Sequence, residues 1–184
     1  MLLEAMVLKG ALSAVGGTGP KADMVSAPFL AREAGIESVV SSEPPENVGS
    51  PYWNLLTVEA ERVDGSSASV TGSVFGSQPH IVQVDGYADS FSFRPEGKHI
   101  LTVRNEDRPG AIGEVLAVLH EAAVNIASVN VARGGGRGGS GGGSGGGGQA
   151  LCFMALDDDV SADAMEAIRR LPALHNVSII HLNQ

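Results

Sequence analysis

Apolar residues recur with two distinct periods along the C-terminal half of the chain, and each period predicts its own element. His99 to Val103 alternates apolar and polar side chains, the mark of a half-buried strand. Asn105-Glu-Asp-Arg-Pro-Gly110 then breaks the alternation with turn residues, Pro109 standing where a first-turn proline is tolerated. Ile112, Val115, Leu116 and Leu119 follow at i, i+3, i+4 and i+7 and predict an amphipathic helix. Val124 to Val131 alternates again as a second strand, and Ala150 to Leu156 is an apolar run that reads as a buried third. A helix is expected from Ser161, its N-cap, with Met165, Ile168 and Leu171 as the apolar stripe and Pro172 as its stop. Val177 to Leu182 is the fourth strand. The order βαββαβ is that of a ferredoxin-like sandwich with two helices on one sheet face.

The first hundred residues read differently. Leu2 to Val15 predicts an amphipathic helix, broken by Gly16-Gly-Thr-Gly-Pro20, and Asp23 to Ala34 predicts a second helix closed by Gly35. Extended segments are expected at Ile36–Ser41, Asn54–Arg62, Ser67–Phe75 and His80–Asp85, separated by Pro44-Pro45, Asp64-Gly65 and Gly76. Asp64-Gly65 between two alternating runs predicts a β-hairpin. The fold class is therefore α+β: an N-terminal α+β domain over residues 1–97 and a βαββαβ domain over 98–184.

Residues 134–148 hold twelve glycines, two serines and one arginine, a composition that cannot bury apolar area. A phosphate-binding glycine loop opens a helix, whereas this run leads into the strand Ala150–Leu156, which argues against the nucleotide reading. The run is expected to join strands two and three and to protrude away from the strand ends that carry Asp107 and Asn125. Hydrophobic content of 43% indicates a folded chain, and the net charge of -9 argues against nucleic acid or an anionic membrane as partner. No apolar stretch reaches the roughly 20 residues of a membrane span. The single cysteine, Cys152, lies in an apolar run and reads as a buried core thiol. His80, His99, His120, His175 and His181 show no diagnostic spacing to a carboxylate, so solvated or structural roles are their default, and no metal site is expected.

The turn and its surroundings carry a resemblance. Asn105-Glu-Asp-Arg-Pro-Gly-Ala-Ile-Gly113 and Val124-Asn-Ile-Ala127 closely resemble the ACT domain that ends D-3-phosphoglycerate dehydrogenases. Leu8-Lys-Gly10, Ala27-Pro28, Gly35-Ile36, Tyr52-Trp-Asn-Leu55, Gly72-Ser-Val-Phe-Gly76 and Pro79-His-Ile-Val82 with Asp85-Gly-Tyr87 resemble that family's intervening, anion-binding domain. The resemblance implies an effector site for L-serine or another small amino acid at Asn105, Asp107, Gly110 and Asn125, shared across a homo-oligomeric pair of ACT domains. Asn125 of one chain would face Asn105 and Asp107 of the other. The chemistry suits an amino acid: Asp107 can meet an ammonium, and the helix start at Gly110 favours a carboxylate. A structural alternative stays open, in which Asp107 caps the helix and Asn125 satisfies a loop.

The resemblance also implies an anion site in the first domain, for which His80 and Lys98 are the candidates, with Arg94 and Lys9 as further cations. His80 stands where relatives often carry Arg or Lys, and a neutral imidazole predicts weak or lost anion binding. No residues here match the family's dinucleotide fingerprint or its catalytic Arg, Glu and His set. No cofactor is therefore expected in this chain, while the resembled full-length enzyme uses NAD. The family's intervening domain has a strand ahead of the helix that Met1 opens, so a chain beginning inside a domain is expected, with a soluble, cytoplasmic or plastid setting. A stand-alone ACT sensor and the regulatory part of an L-serine dehydratase are the competing readings.

Overall fold

The computed structural model describes residues 2–15, 22–42, 54–85, 87, 92–133 and 148–182. The Gly16–Pro20 break, the Pro44-Pro45 turn and most of the glycine run, residues 134–147, lie outside the described residues. The chain divides into two compact units, residues 1–53 and 54–184.

Among its described residues the first unit contains two helices, α1 (Leu2–Val15) and α2 (Ala27–Glu33). Leu8, Ala27 and Ala31 form its small core. Helix α2 starts four residues later than the sequence pattern suggests. The Asp23 carboxylate accepts the backbone N–H groups of Val25 and Ser26, at 2.9 and 2.7 Å, and this local turn outcompetes helix. Those bonds, with that of the Ser26 hydroxyl, hold the Asp23 carboxyl below its ordinary value. Gly35 closes α2 at φ +74, with Gly35 N–H donating to Arg32 O and Ile36 N–H to Ala31 O, the paired bonds of a Schellman cap. The extended segment expected at Ile36–Ser41 is no strand: it has no pairing partner among the described residues, and Val39 and Val40 stand exposed. A β-branched pair does not make a strand without a neighbouring edge.

In the second unit, β1 (Leu55–Glu61), β2 (Ser67–Phe75) and β3 (Gln78–Val84) form an antiparallel sheet in the order β1-β2-β3. The Asp64-Gly65 hairpin is present, Gly65 adopting φ +80. A four-stranded sheet follows from β4 (His99–Glu106), β5 (Ile126–Arg133), β6 (Gln149–Leu156) and β7 (Leu174–His181), in the order β5-β6-β4-β7. Helices α3 (Ala111–Glu121) and α4 (Ala162–Arg169) complete the expected βαββαβ arrangement. The Ser161 hydroxyl accepts the Ala164 N–H and caps α4 as predicted.

Both faces of this sheet are covered. Val115 and Leu119 of α3 and Met165 and Ile168 of α4 pack with Leu101, Val103, Cys152 and Met154 on one face. On the other face Tyr87 and Phe93 pack with Ile100, Leu151 and Phe153. That explains why β6 is apolar at nearly every position, since a strand covered twice has no side for water. Burial pushes the Cys152 thiol up to about 12, as a core thiol requires.

Candidate functional site

The turn between β4 and α3 is placed by pairing register. Asn105 of β4 lies opposite Ala150 of β6, and Ala150 lies opposite Arg133 of β5, so three strand ends share one row. Gly110 occupies the N-cap of α3 at φ +89, a left-handed conformation that disfavours any side chain there. Around this row opens a cleft of about 500 Å³ lined by Asn105, Asp107, Arg108, Gly110 and Arg133, with Ile112 and Gly113 of the first helical turn.

Asn105 is only 2% exposed. Its amide Nδ2 donates to the Glu106 carbonyl at 2.6 Å, which fixes the orientation of the group. Its Oδ1 is buried and meets no donor among the described residues. A buried acceptor without a partner costs about 1–3 kcal/mol, so it calls for a donor from elsewhere.

The charges around it come in both signs. Asp107 pairs with Arg133 at 3.2 Å, and Arg108 reaches Glu106 and Glu114, each at 3.3 Å. Asp107 does not cap α3, which has no side-chain cap, so the Asp107 half of the structural alternative falls, while Asn125 does bond the Asp157 loop. The N–H groups of Ile112 and Gly113 belong to the first helical turn, where no intrahelical acceptor exists. The cleft thus holds an acceptor for an ammonium (Asp107), with buried Asn105 in its lining, beside donors for a carboxylate (Arg133 and the α3 start). Arg133 is absent from the residues singled out by sequence, because only the β5–β6–β4 register brings it to Asp107.

Asn125 lies elsewhere in the chain. Its carbonyl accepts the Asp157 N–H, and its side-chain amide donates to Asp157 at 2.6 Å, beyond the Leu156 end of β6. Asn105 stands at the opposite, Gln149 end of that strand. One chain therefore brings Asn105, Asp107 and Gly110 together and leaves Asn125 at the far end of the sheet. The described ends of the glycine run also correct an expectation. Arg133 and Gly148 both sit at Asp107, whose N–H donates to Gly148 O at 2.8 Å. The run therefore springs from the cleft's own border, since a β5–β6 hairpin connection must lie at the end where β4 runs out.

His80 and Lys98 share no contact among the described residues. His80 Nδ1 bonds the Ser92 hydroxyl at 2.8 Å and its ring packs on Phe75, while Lys98 is exposed. Arg94 is paired with Glu96 and Gln78. Two other histidines depart from their default. His99 Nδ1 lies 2.8 Å from His181 Nδ1, and His99 Nε2 lies 3.0 Å from Asp159 Oδ1.

Residues 1–85 match the D-3-phosphoglycerate dehydrogenase intervening domain, and residues 99–173 match the ACT domain. A D-3-phosphoglycerate dehydrogenase of Methanocaldococcus jannaschii is 33% identical over 181 residues, covering 98% of this chain and 31% of that protein. One from Mycobacterium tuberculosis is 29% identical over 189 residues, covering 99% and 31%. The chloroplastic D-3-phosphoglycerate dehydrogenase 2 of Arabidopsis thaliana is 28% identical over 190 residues, covering 98% and 28%. The chain spans about a third of the length of the curated relatives it matches.

Proposed function

We propose that this chain, which belongs to the D-3-phosphoglycerate dehydrogenase family as its intervening-plus-ACT regulatory region, senses a small amino acid, L-serine first, in the Asn105 cleft. ACT domains generally bind amino acids and pair with one another. The observation that carries the reading is the buried Oδ1 of Asn105, without a donor among the described residues, beside the ion pair of half-buried Asp107 with exposed Arg133. An α-amino acid is a zwitterion of matching polarity. Its ammonium donates to Asn105 Oδ1 and Asp107, and its carboxylate accepts from Arg133 and the first turn of α3. Opening the Asp107–Arg133 pair costs little, because Arg133 is largely exposed and such pairs are screened by water.

A second chain completes the site. Asn125 presents a donor and an acceptor at the sheet end opposite its own cleft, so in a paired assembly it serves the partner's ligand. Within one chain, β4 links the cleft to the three-stranded sheet. Arg104, next to Asn105, pairs with Asp85 and lies 5.8 Å from the centre of the Tyr87 ring, whose hydroxyl reaches Gln149 at 3.2 Å. Ligand at Asn105 thereby strains or relaxes contacts made by the intervening domain, the differential contact that allosteric coupling needs. In the whole enzyme the signal would reach NAD-dependent catalytic domains.

Titration calorimetry with L-serine and a panel of other amino acids tests the reading. Asn105→Leu, close in shape but without the acceptor, and Arg133→Ala are each expected to weaken binding by about tenfold or more. Asn125→Ala should weaken it while leaving the fold intact. Heats equal to wild type in both cleft variants, or no binding by any amino acid, would sink the proposal.

A further inference from the structure

We propose that His99, His181 and Asp159 form a binding site for one borderline transition cation, with Zn²⁺ as the natural probe, at the end of the four-stranded sheet away from the amino-acid cleft. The pairing register makes the site. His99 of β4 lies directly opposite His181 of β7, and cross-strand neighbours hold their Cβ atoms about 4.5–5.5 Å apart. The strands are locked on either side: Lys98 N–H donates to Leu156 O at 3.1 Å, and Leu182 N–H to Lys98 O at 2.9 Å. One ligand atom from each of His99, His181 and Asp159 lies within 4.8 Å of the others.

The two rings bring one nitrogen each to a single point. Their Nδ1 atoms point at one another, 2.8 Å apart, with the rings nearly perpendicular at 84°. Asp159 Oδ1 lies 3.0 Å from His99 Nε2. A carboxylate so near favours a proton on Nε2, the tautomer in which the His99 Nδ1 lone pair faces His181. A carboxylate behind a ligating imidazole is the usual outer support of a histidine–metal bond. His181 is exposed, so its own Nε2–H can face water and free its Nδ1 lone pair too. Two imidazole nitrogens at about 2.0–2.1 Å from a tetrahedral ion stand about 3.3 Å apart, so the pair must open by only about half an ångström.

Imidazole donors suit zinc, nickel or copper and not magnesium or calcium, which take oxygen ligands. The neighbouring acids are otherwise engaged: Asn125 holds Asp157 through its side-chain amide and Asp158 through its backbone N–H, leaving Asp159 to His99. Cys152, the one thiol, is buried with its proton held, and does not compete. A bound ion clips β4 to β7, and binding to the folded chain alone raises its melting midpoint.

Calorimetric titration of zinc chloride into the full chain decides the matter. Wild type is expected to bind one ion per chain. His181→Gln, at an exposed position, should weaken binding by at least about tenfold, and Asp159→Asn by about tenfold through loss of the supporting carboxylate. His175→Gln, on the same strand outside the cluster, should leave it unchanged. No saturable site in wild type, or a His181→Gln or Asp159→Asn variant that titrates as wild type does, would overturn the proposal. These outcomes are independent of amino-acid binding, so the two readings fail separately.

Discussion

The sheets β1–β3 and β4–β7 are made of strands of similar length, seven to nine residues in one and eight in the other, yet they bury their side chains very differently. In β1 only Val58 is even half-buried, whereas in β6 every residue but Gln149 is buried. The cause is what lies on each face. Helices α3 and α4 cover one side of the four-stranded sheet, and Tyr87 and Phe93 cover the other. Strand formation thus needs only period and pairing, while stability needs a second layer. The same contrast explains where chemistry gathers. An unpaired acceptor such as Asn105 Oδ1 is tolerated only where surrounding burial outweighs its cost, and that surplus exists in the four-stranded sheet.

The most direct way to break this contrast is to truncate one apolar side chain in each sheet. Leu101 is fully buried in the helix-covered core, and Leu101→Ala should cost about 2–5 kcal/mol. Val58 is half-buried, and Val58→Ala should cost less than about 1 kcal/mol. Denaturant unfolding followed by circular dichroism compares the two. Similar losses would show that the three-stranded sheet is as tightly held as the other, contrary to its exposure.

A smaller effect tests the junction of the two sheets. Phe93 bridges to Ile81 of β3, and five residues later Lys98 bonds to β6. Gly97 between them adopts φ +83, and a Cβ there would lie 2.9 Å from the Leu156 carbonyl oxygen. Gly97→Ala therefore combines left-handed strain with a backbone collision, and about 2 kcal/mol of stability should be lost. A melting midpoint within a degree of wild type would mean that the junction yields, and that the two sheets are less firmly joined than Gly97 indicates.

Much of this organisation was legible beforehand, for reasons that differ by residue. The α3 stripe of Val115 and Leu119, the Ser161 cap and the uninterrupted run of β6 all follow from local rules that tertiary structure did not override. Asn105, Asp107 and Gly110 fall within a six-residue turn, so a single motif finds them. Arg133 is 26 residues from Asp107, with helix α3 and strand β5 between them, and its role depends on a register that no local pattern specifies. His99 and His181 are 82 residues apart and become neighbours only through β4–β7 pairing. Ile36–Ser41 misled in the opposite direction, because β propensity without a partner strand leaves Val39 and Val40 in water.

The smallest effect sharpens the idea that burial offsets local strain. Helices α2 and α3 end in the same pair of backbone bonds. For α3 they run from Ala123 N–H to His120 O and from Val124 N–H to Leu119 O, each at 3.0 Å. In α2 the left-handed position is Gly35, at no steric cost, while in α3 it is Ala123 at φ +55, where the Cβ crowds its own backbone. Ala123 is exposed, so removing its methyl forfeits little buried area. Relief of the left-handed strain exceeds the extra chain entropy that glycine brings to the unfolded state. Ala123→Gly should therefore stabilise the protein by about 0.5–1 kcal/mol, a few degrees in melting midpoint. A loss of stability instead would show that the α3 terminus is held by its neighbours and not by its cap, and that the four-stranded sheet does not spend its burial on this strain.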